Sequence, residues 1–553
     1  MRLCSFVAAL LIAPLGIAAA QAHPFSRADT LRGSNTLARA WWDVSFYDLH
    51  VSVDPSDSTI RGWNGITYRV LQPSRDMQID LQEPLLVDSM VQEGRRVAVR
   101  RDGNVWFAGV ARQRAGERHT ITVYYHGKPV VARRPPWDGG LIWARDSVGN
   151  RWVATANEGT GASVWWPNKD YLADEPDSQR IAITTPDSLF DVSNGRLRGV
   201  TPHEDGTTTY EWFTTEPINN YDVAISAGRY AHFSMIFDGE AGPLTLDFWP
   251  LAYHLDVAQR EFLQVPPMMK CFESWFGPYP WYTDGYKLIE SPHLGMEHQT
   301  AVAYGNHYQN GYLGRDLSHT GLGLLWDFII VHESAHEWFG NNISMQDQAD
   351  MWVHESFANY AENLYTECVA GKEAGAQYVI GTRRNIRNDR PIVAQYGVND
   401  EGSGDMYYKG GNMLHTIRQI VGDDAKWRET LRGLNRTFWH QTVTGKQVQD
   451  YISRQTGIDL TKVFQQYLNT TDVPVFEYTL VDSTLTFRWT KVIAGFDMPL
   501  RVTVSDSGFT AIRPTEAWQH TTVQLKDPAT FRVDPNYYVF TQHDLIAPQA
   551  ARQ

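Results

Sequence analysis

The sequence predicts a multidomain α+β protein, and three observations predict it. At 553 residues the chain is too long for one hydrophobic core. Alternating, β-branched and aromatic stretches dominate from about residue 41 to 233, and helix-period stretches take over from about 243. After Pro474 the strand pattern returns. Composition is that of an ordinary globular chain, 42% hydrophobic and 20% charged, so no part needs to be read as low-complexity or fibrous.

Taken in order, residues 42–51, 62–70, 119–125 and 179–184 alternate in part and read as strands of an antiparallel β domain. Residues 256–275 carry an amphipathic pattern that ends before Gly277-Pro278. Residues 324–339 form a mostly apolar helical stretch, stopped by Gly340-Asn341-Asn342. A second helix is expected over 350–370, before Gly371, and shorter ones over 413–420, 426–437, 446–455 and 460–468. Strands at 476–481, 484–492, 500–505, 521–525 and 530–533 have the spacing of a small antiparallel sandwich.

The N-terminus reads as a signal peptide over 1–22. Arg2 precedes an apolar run over 3–20, and Ala20-Gln21-Ala22 fits a small-x-small cleavage site. Export to the periplasm or medium follows as an expectation, and no later stretch is long enough to span a bilayer. A net charge of −14 without Lys/Arg clusters argues against nucleic acid as a partner. Beyond the signal segment two cysteines remain, Cys271 and Cys368. They could pair, but their helical segments need not be adjacent, and two inert buried thiols are the expectation.

The chemistry concentrates at His332-Glu333-Ser334-Ala335-His336, followed after an 18-residue gap by Glu355. Histidines four apart on a helix face the same way and can reach one metal ion. Glu355 supplies a third, anionic donor from the next helix, which leaves one tetrahedral position open on a zinc ion. Glu333 sits beside the pair, where it can act as general base to a zinc-activated water. Glu362 lies seven residues past Glu355 on the same helical face; a partner that orients a histidine N–H and a plain surface glutamate are equally good readings.

Four segments together resemble the aminopeptidase N family of zinc metallopeptidases, the gluzincins. They are the His332–Glu355 arrangement inside Trp352-Val353-His354-Glu355-Ser356-Phe357-Ala358, then Leu294-Gly295-Met296-Glu297-His298, Tyr407-Tyr408-Lys409-Gly410, and Glu158 followed by Trp165-Trp166-Pro167 and Asp174-Glu175-Pro176. The resemblance covers roughly residues 40–545. It implies an N-terminal β-saddle over 23–240, a thermolysin-like α/β catalytic domain over 241–473 and a small β-sandwich over 474–553. It also implies a short bacterial-type member without the C-terminal helical domain that many members add. Departures from the family pattern stand at Leu294, His298, His354 and Ser356, none of them a metal donor.

The resemblance implies one Zn2+ per chain on His332, His336 and Glu355, with Glu333 as base and Tyr407 stabilising the oxyanion. It places Glu297 and Glu158 on the substrate's α-ammonium, and the Gly295-Met296 strand along the substrate backbone. The expected activity is removal of N-terminal residues from peptides with a free N-terminus. A thermolysin-like endopeptidase and an inactive peptide-binding scaffold are the alternatives. Gly402 counts against the family's epoxide-hydrolysing branch, which has a tyrosine five residues before the catalytic one.

Overall fold

A computed structural model of the protein describes residues 25–543, so the expected signal peptide at 1–22 lies outside the described residues. Helical and β-rich regions are segregated along the chain, as an α+β class requires. Apolar side chains gather into two large buried clusters, one drawn mainly from 41–227 and the other from 237–538.

The first cluster lies against an eight-stranded sheet. Its strands run, in spatial order, Arg196–Pro202, Thr207–Thr214, Ser178–Pro186, Trp42–Asp54, Thr59–Val70, Arg118–Gly127, Leu86–Gln92 and Arg95–Arg96. Along Trp42–Asp54 the apolar residues Leu49, Val51 and Val53 recur at the strand period and are buried. The sheet is not purely antiparallel, because Trp42–Asp54 and Ser178–Pro186 pair in parallel. Such a pair needs a long crossover, and the intervening segment supplies it. Within that crossover the strand Arg151–Ala156 runs straight into the loop that carries Glu158.

A five-stranded sheet orders Phe233–Gly239, Gly242–Trp249, Tyr286–Glu290, Val302–Tyr304 and Gly295–Met296, which leaves the last strand at an edge. Two helices follow: Phe328–Ala335 packs on this edge, and Trp352–Ala370 packs on that helix. The first is shorter than the expected 324–339. The Asp327 carboxylate accepts from the Ile329 and Ile330 N–H groups and fixes the start. At the other end His336 is the C-cap, yet its φ of −62° and ψ of −21° keep the histidine pair at helical spacing.

The amphipathic stretch expected at 256–275 is interrupted: Leu255–Glu261 and Val265–Phe276 are separated by a short 3-10 turn, just before Pro266-Pro267. The later helices are Tyr408–Val421, Asp424–Thr437, Gly445–Thr456 and Thr461–Asn469. The C-terminal strands are Val475–Val481, Thr484–Thr490, Leu500–Ser505, Gly508–Ile512, Gln519–Thr522 and Phe540–His543. No strand forms at 530–533, where Asp527 caps the 3-10 turn Pro528–Thr530.

The cysteines contradict the expectation of free, buried thiols. The helices Val265–Phe276 and Trp352–Ala370 pack together, with Cα atoms of Cys271 and Cys368 6.2 Å apart, and the two are disulfide-bonded. Cys271 is buried and Cys368 exposed.

Candidate active site

The three metal-donor candidates converge. Nε2 of His332 and Nε2 of His336 each lie 3.5 Å from Oε2 of Glu355. That spacing matches the edge of a tetrahedron around an ion with bonds of about 2.0–2.1 Å. The outward nitrogens are already engaged. His332 Nδ1 meets Glu362 Oε1 at 2.9 Å, and His336 Nδ1 meets the Phe339 carbonyl at 3.0 Å. Each acceptor fixes the proton on Nδ1 and turns the Nε2 lone pair inward. Glu355 Oε2 is buried without a hydrogen-bond partner, so the donor set fits a cation and leaves one of its oxygens for it.

Support around the donors is itself buried. Glu362 is fully enclosed, accepting from the Tyr378 hydroxyl at 2.7 Å and the Asn359 amide at 3.1 Å. Of its two sequence readings, the orienting one is what the contacts describe. Phe328 stacks on the His332 ring at 5.2 Å. Glu337, the other glutamate of this helix region, faces away and accepts from the Tyr279 hydroxyl, the Thr300 N–H and the Asn341 amide.

Electrostatics follow from burial among carboxylates. Burial opposes charge on His332, but Glu355 and Glu362 outweigh it and raise its pKa. Burial alone would raise Glu355, yet His336 and His332 hold it well below the usual carboxylate range. Glu333 is pushed up to about 7 by burial, against the pull of the two histidines. Binding of a divalent ion would discharge the protons on the donors.

Glu333 owes its place to a glycine. A Cβ on Gly295 would come within 2.5 Å of Glu333 Oε1, so the edge strand Gly295–Met296 can lie against the carboxylate only without a side chain there. Tyr407 reaches the same centre from the start of the helix Tyr408–Val421, and its hydroxyl donates to Glu355 Oε1 at 2.8 Å. Burial, then Glu355, raises its pKa well above the usual value, so it remains a donor. Ser356, one of the departures, ties these parts together: its hydroxyl donates to the Met406 carbonyl at 2.7 Å and it packs on Gly410.

Next to the donors lies a second acidic group. Glu297, Glu333 and His336 have oxygen and nitrogen atoms within 4.8 Å of one another, and so do Glu158, Glu297 and His354. Glu297 accepts from the Tyr221 hydroxyl at 3.1 Å. Glu158 arrives from the β domain and is raised well above the ordinary range by burial and then by Glu297. Its Oε1 is 3.6 Å from His354 Nδ1. His354 Nε2 accepts the Met345 N–H at 2.9 Å, which puts the ring proton on Nδ1, toward Glu158. Burial holds that imidazole neutral, with a pKa of about 3.

A cleft of about 380 Å³ joins these groups, lined by all nine site residues read from the sequence and by Leu294. It also holds residues that sequence reasoning missed, among them Trp137, Tyr312, Leu317 and Glu401. No motif marks them, because they come from loops far apart in the chain. His298, the second departure, is buried with both ring nitrogens unpartnered.

Comparison with known proteins agrees with this architecture. Residues 264–467 match the model of the peptidase family M1 domain. Aminopeptidase N of Lactobacillus helveticus is 25% identical over 476 residues, covering 78% of this chain and 51% of its own. Aminopeptidase N of Streptomyces lividans is 25% identical, over 54% of this chain and 35% of its own. The chain thus spans about half the length of the first of these relatives. Among solved structures, an M1 zinc metallopeptidase from Deinococcus radiodurans superimposes with a TM-score of 0.67 at 21% identity, covering 79% of this chain and 96% of that one. Residues 264–467 are therefore similar to the peptidase family M1 domain, and the chain is similar over most of its length to aminopeptidase N.

Proposed function

We propose that the protein is a zinc-dependent aminopeptidase that removes N-terminal residues from peptides. The observation that carries this reading is the pair of carboxylates, buried Glu297 and part-buried Glu158, beside the His332–His336–Glu355 donors. An endopeptidase needs only the donors and a base. Two like-charged groups packed against them are costly unless a cation arrives between them, and a substrate α-ammonium is such a cation. The names of the relatives, aminopeptidases and zinc metallopeptidases, support the same reading.

His332, His336 and Glu355 would hold the zinc ion, which when bound supplies Lewis-acid polarisation of the scissile carbonyl and of water. Glu333 accepts a proton from the attacking water and returns it to the leaving amine. Its buried position, with a pKa of about 7, suits both transfers. The Tyr407 hydroxyl, adjacent to Glu355, donates to the oxyanion as it develops. Glu297 and Glu158 hold the α-ammonium, and the Gly295–Met296 edge is free to pair with the substrate backbone.

The reading extends to export. The signal-like segment at 1–22 and the Cys271–Cys368 disulfide both suit an oxidising compartment. Among the described residues no helix is long and apolar enough to cross a membrane.

The test is an aminoacyl-anilide panel with and without a chelator, followed by product analysis on a long unblocked peptide. Chelator-sensitive release of single residues from the N-terminus supports the proposal. Internal cleavage as the main product would favour the endopeptidase, and inactivity with zinc bound the peptide-binding scaffold.

A further inference from the structure

The carboxylate of Glu158 is held by little of its own. Its Oε1 has no hydrogen-bond partner, and His354 Nδ1 stands off at 3.6 Å. Its position therefore depends on the backbone of its loop. That loop is gripped by a side chain from 127 residues earlier in the chain. Arg32 Nη2 donates to the Gly159 carbonyl at 2.9 Å, one residue past Glu158.

The same guanidinium makes two further bonds. Nη1 donates to Asp170 Oδ2 at 3.1 Å, and Nε donates to Asn399 Oδ1 at 3.0 Å. Asp170 is fixed in turn by the Ser163 N–H and hydroxyl. Asn399 belongs to the segment that continues to Glu401, Ser403 and Tyr407. Arg32 thus ties the β-domain loop of Glu158 to the segment leading to Tyr407. The planar fork presents three separate nitrogens to three acceptors set apart in space, whereas a lysine would have to meet them from a single nitrogen.

Arg32 sits in a segment that is docked independently of this fork. The short helix Arg27–Gly33 is closed by a capping box between Ser26 and Asp29, and Leu31 is buried with Val105 and Phe107. The Asn399 N–H donates to the Asp29 carbonyl at 3.1 Å. A Cβ on Gly33 would lie 2.1 Å from the Val398 carbonyl carbon, so the segment lies directly on the 398–399 backbone. A small cavity of about 30 Å³ is lined by both Arg32 and Glu158, with Tyr221 and Asn399.

We infer that Arg32 is a positioning residue for substrate-amine recognition: the segment 26–34 straps the Glu158 loop to the catalytic domain and sets where Glu158 meets the α-ammonium. The inference rests on the aminopeptidase reading. It is tested on the full-length, zinc-loaded protein with a double-mutant cycle of Arg32→Ala and Glu158→Ala, reading KM and kcat on an aminoacyl anilide. Arg32→Ala is expected to raise KM about tenfold, with kcat within about threefold, and to leave KM unchanged in the Glu158→Ala background.

Added guanidinium ion is expected to lower the KM of Arg32→Ala toward the native value. An equal rise of KM in both backgrounds, or no rise in the native one, overturns the inference. If Arg32→Ala fails to fold, Arg32→Lys, which keeps a charge beside Asp170, takes its place in the cycle with the same outcomes. No effect of Glu158→Ala alone would sink the amine-site reading itself, and the strap's role with it, which separates that failure from failure of the strap alone.

Discussion

Replacing Gly295 by alanine tests whether catalysis depends on the placement of Glu333. The glycine does not occupy a left-handed conformation, so the backbone accepts alanine. The added methyl, however, would lie 2.5 Å from Oε1, 2.9 Å from Cδ and 3.0 Å from Cγ of Glu333. Carbon contacts relax at roughly 3.5 Å, so the carboxylate must move by close to 1 Å or leave its rotamer, which costs about 0.5–1.5 kcal/mol. A misplacement of about 1 Å at a reacting group lowers rate roughly 100-fold. Gly295→Ala is therefore expected to cut kcat about 10- to 100-fold. Zinc content should stay at one ion per chain, because the three atoms nearest the methyl all belong to Glu333 and not to a donor. Steady-state kinetics on an aminoacyl anilide, with metal analysis of the same preparation, measures both. The shorter Glu333→Asp should lose less from the added methyl than native does, because the two positions share one contact. A kcat within about twofold of native, with zinc bound, would refute the reasoning.

Three other changes separate the roles around the metal. Glu333→Gln is expected to keep zinc and lose nearly all turnover, read by kcat beside metal analysis; retained activity would remove the base assignment. Tyr407→Phe is expected to lower kcat roughly 100- to 1,000-fold, the effect of one oxyanion donor, with a far smaller change in KM. Glu362→Gln leaves His332 a weaker acceptor for its Nδ1 proton and is expected to weaken zinc affinity about 10- to 100-fold in a competition titration.

The metal-donor candidates were legible because their pattern is local. His332 and His336 lie on one turn-and-a-bit of helix, and Glu355 and Glu362 share a face of the next. What the sequence hid is what depends on contacts between distant segments. The Cys271–Cys368 disulfide joins residues 97 apart through helix packing that no local pattern announces. The helix Lys372–Thr382, which contains Gly375 and Gly381, was not among the elements read from the sequence. Cβ atoms there would meet Asn363 O at 3.0 Å from Gly375 and Ser318 O at 2.2 Å from Gly381, so the glycines are what let the helix pack closely. The Glu158 loop was found only as part of a recognisable motif, and the grip of Arg32 on it carries no sequence signal at all.

On the proposed reading, charge is what separates an exopeptidase from an endopeptidase in this cleft. Glu158, Glu297, Glu333 and Glu355 crowd into one buried region, and burial followed by mutual repulsion raises Glu158. One cation, the metal, is shared by every substrate. On the proposed reading the second comes with the substrate, and a peptide whose amine is acetylated leaves buried Glu297 and part-buried Glu158 without that partner. Losing one partner of a buried charge pair costs about 2–5 kcal/mol, or roughly 30-fold to several thousand-fold. The kcat/KM of an N-acetylated dipeptide is therefore expected to fall by that factor below its free form. In Glu297→Gln, which removes one of the two charges, the ratio should shrink as the free peptide loses more than the blocked one. Equal turnover of free and acetylated peptides by the native protein would mean that these carboxylates serve some purpose other than the amine, and the cleft would then have to be read as open to chain interiors.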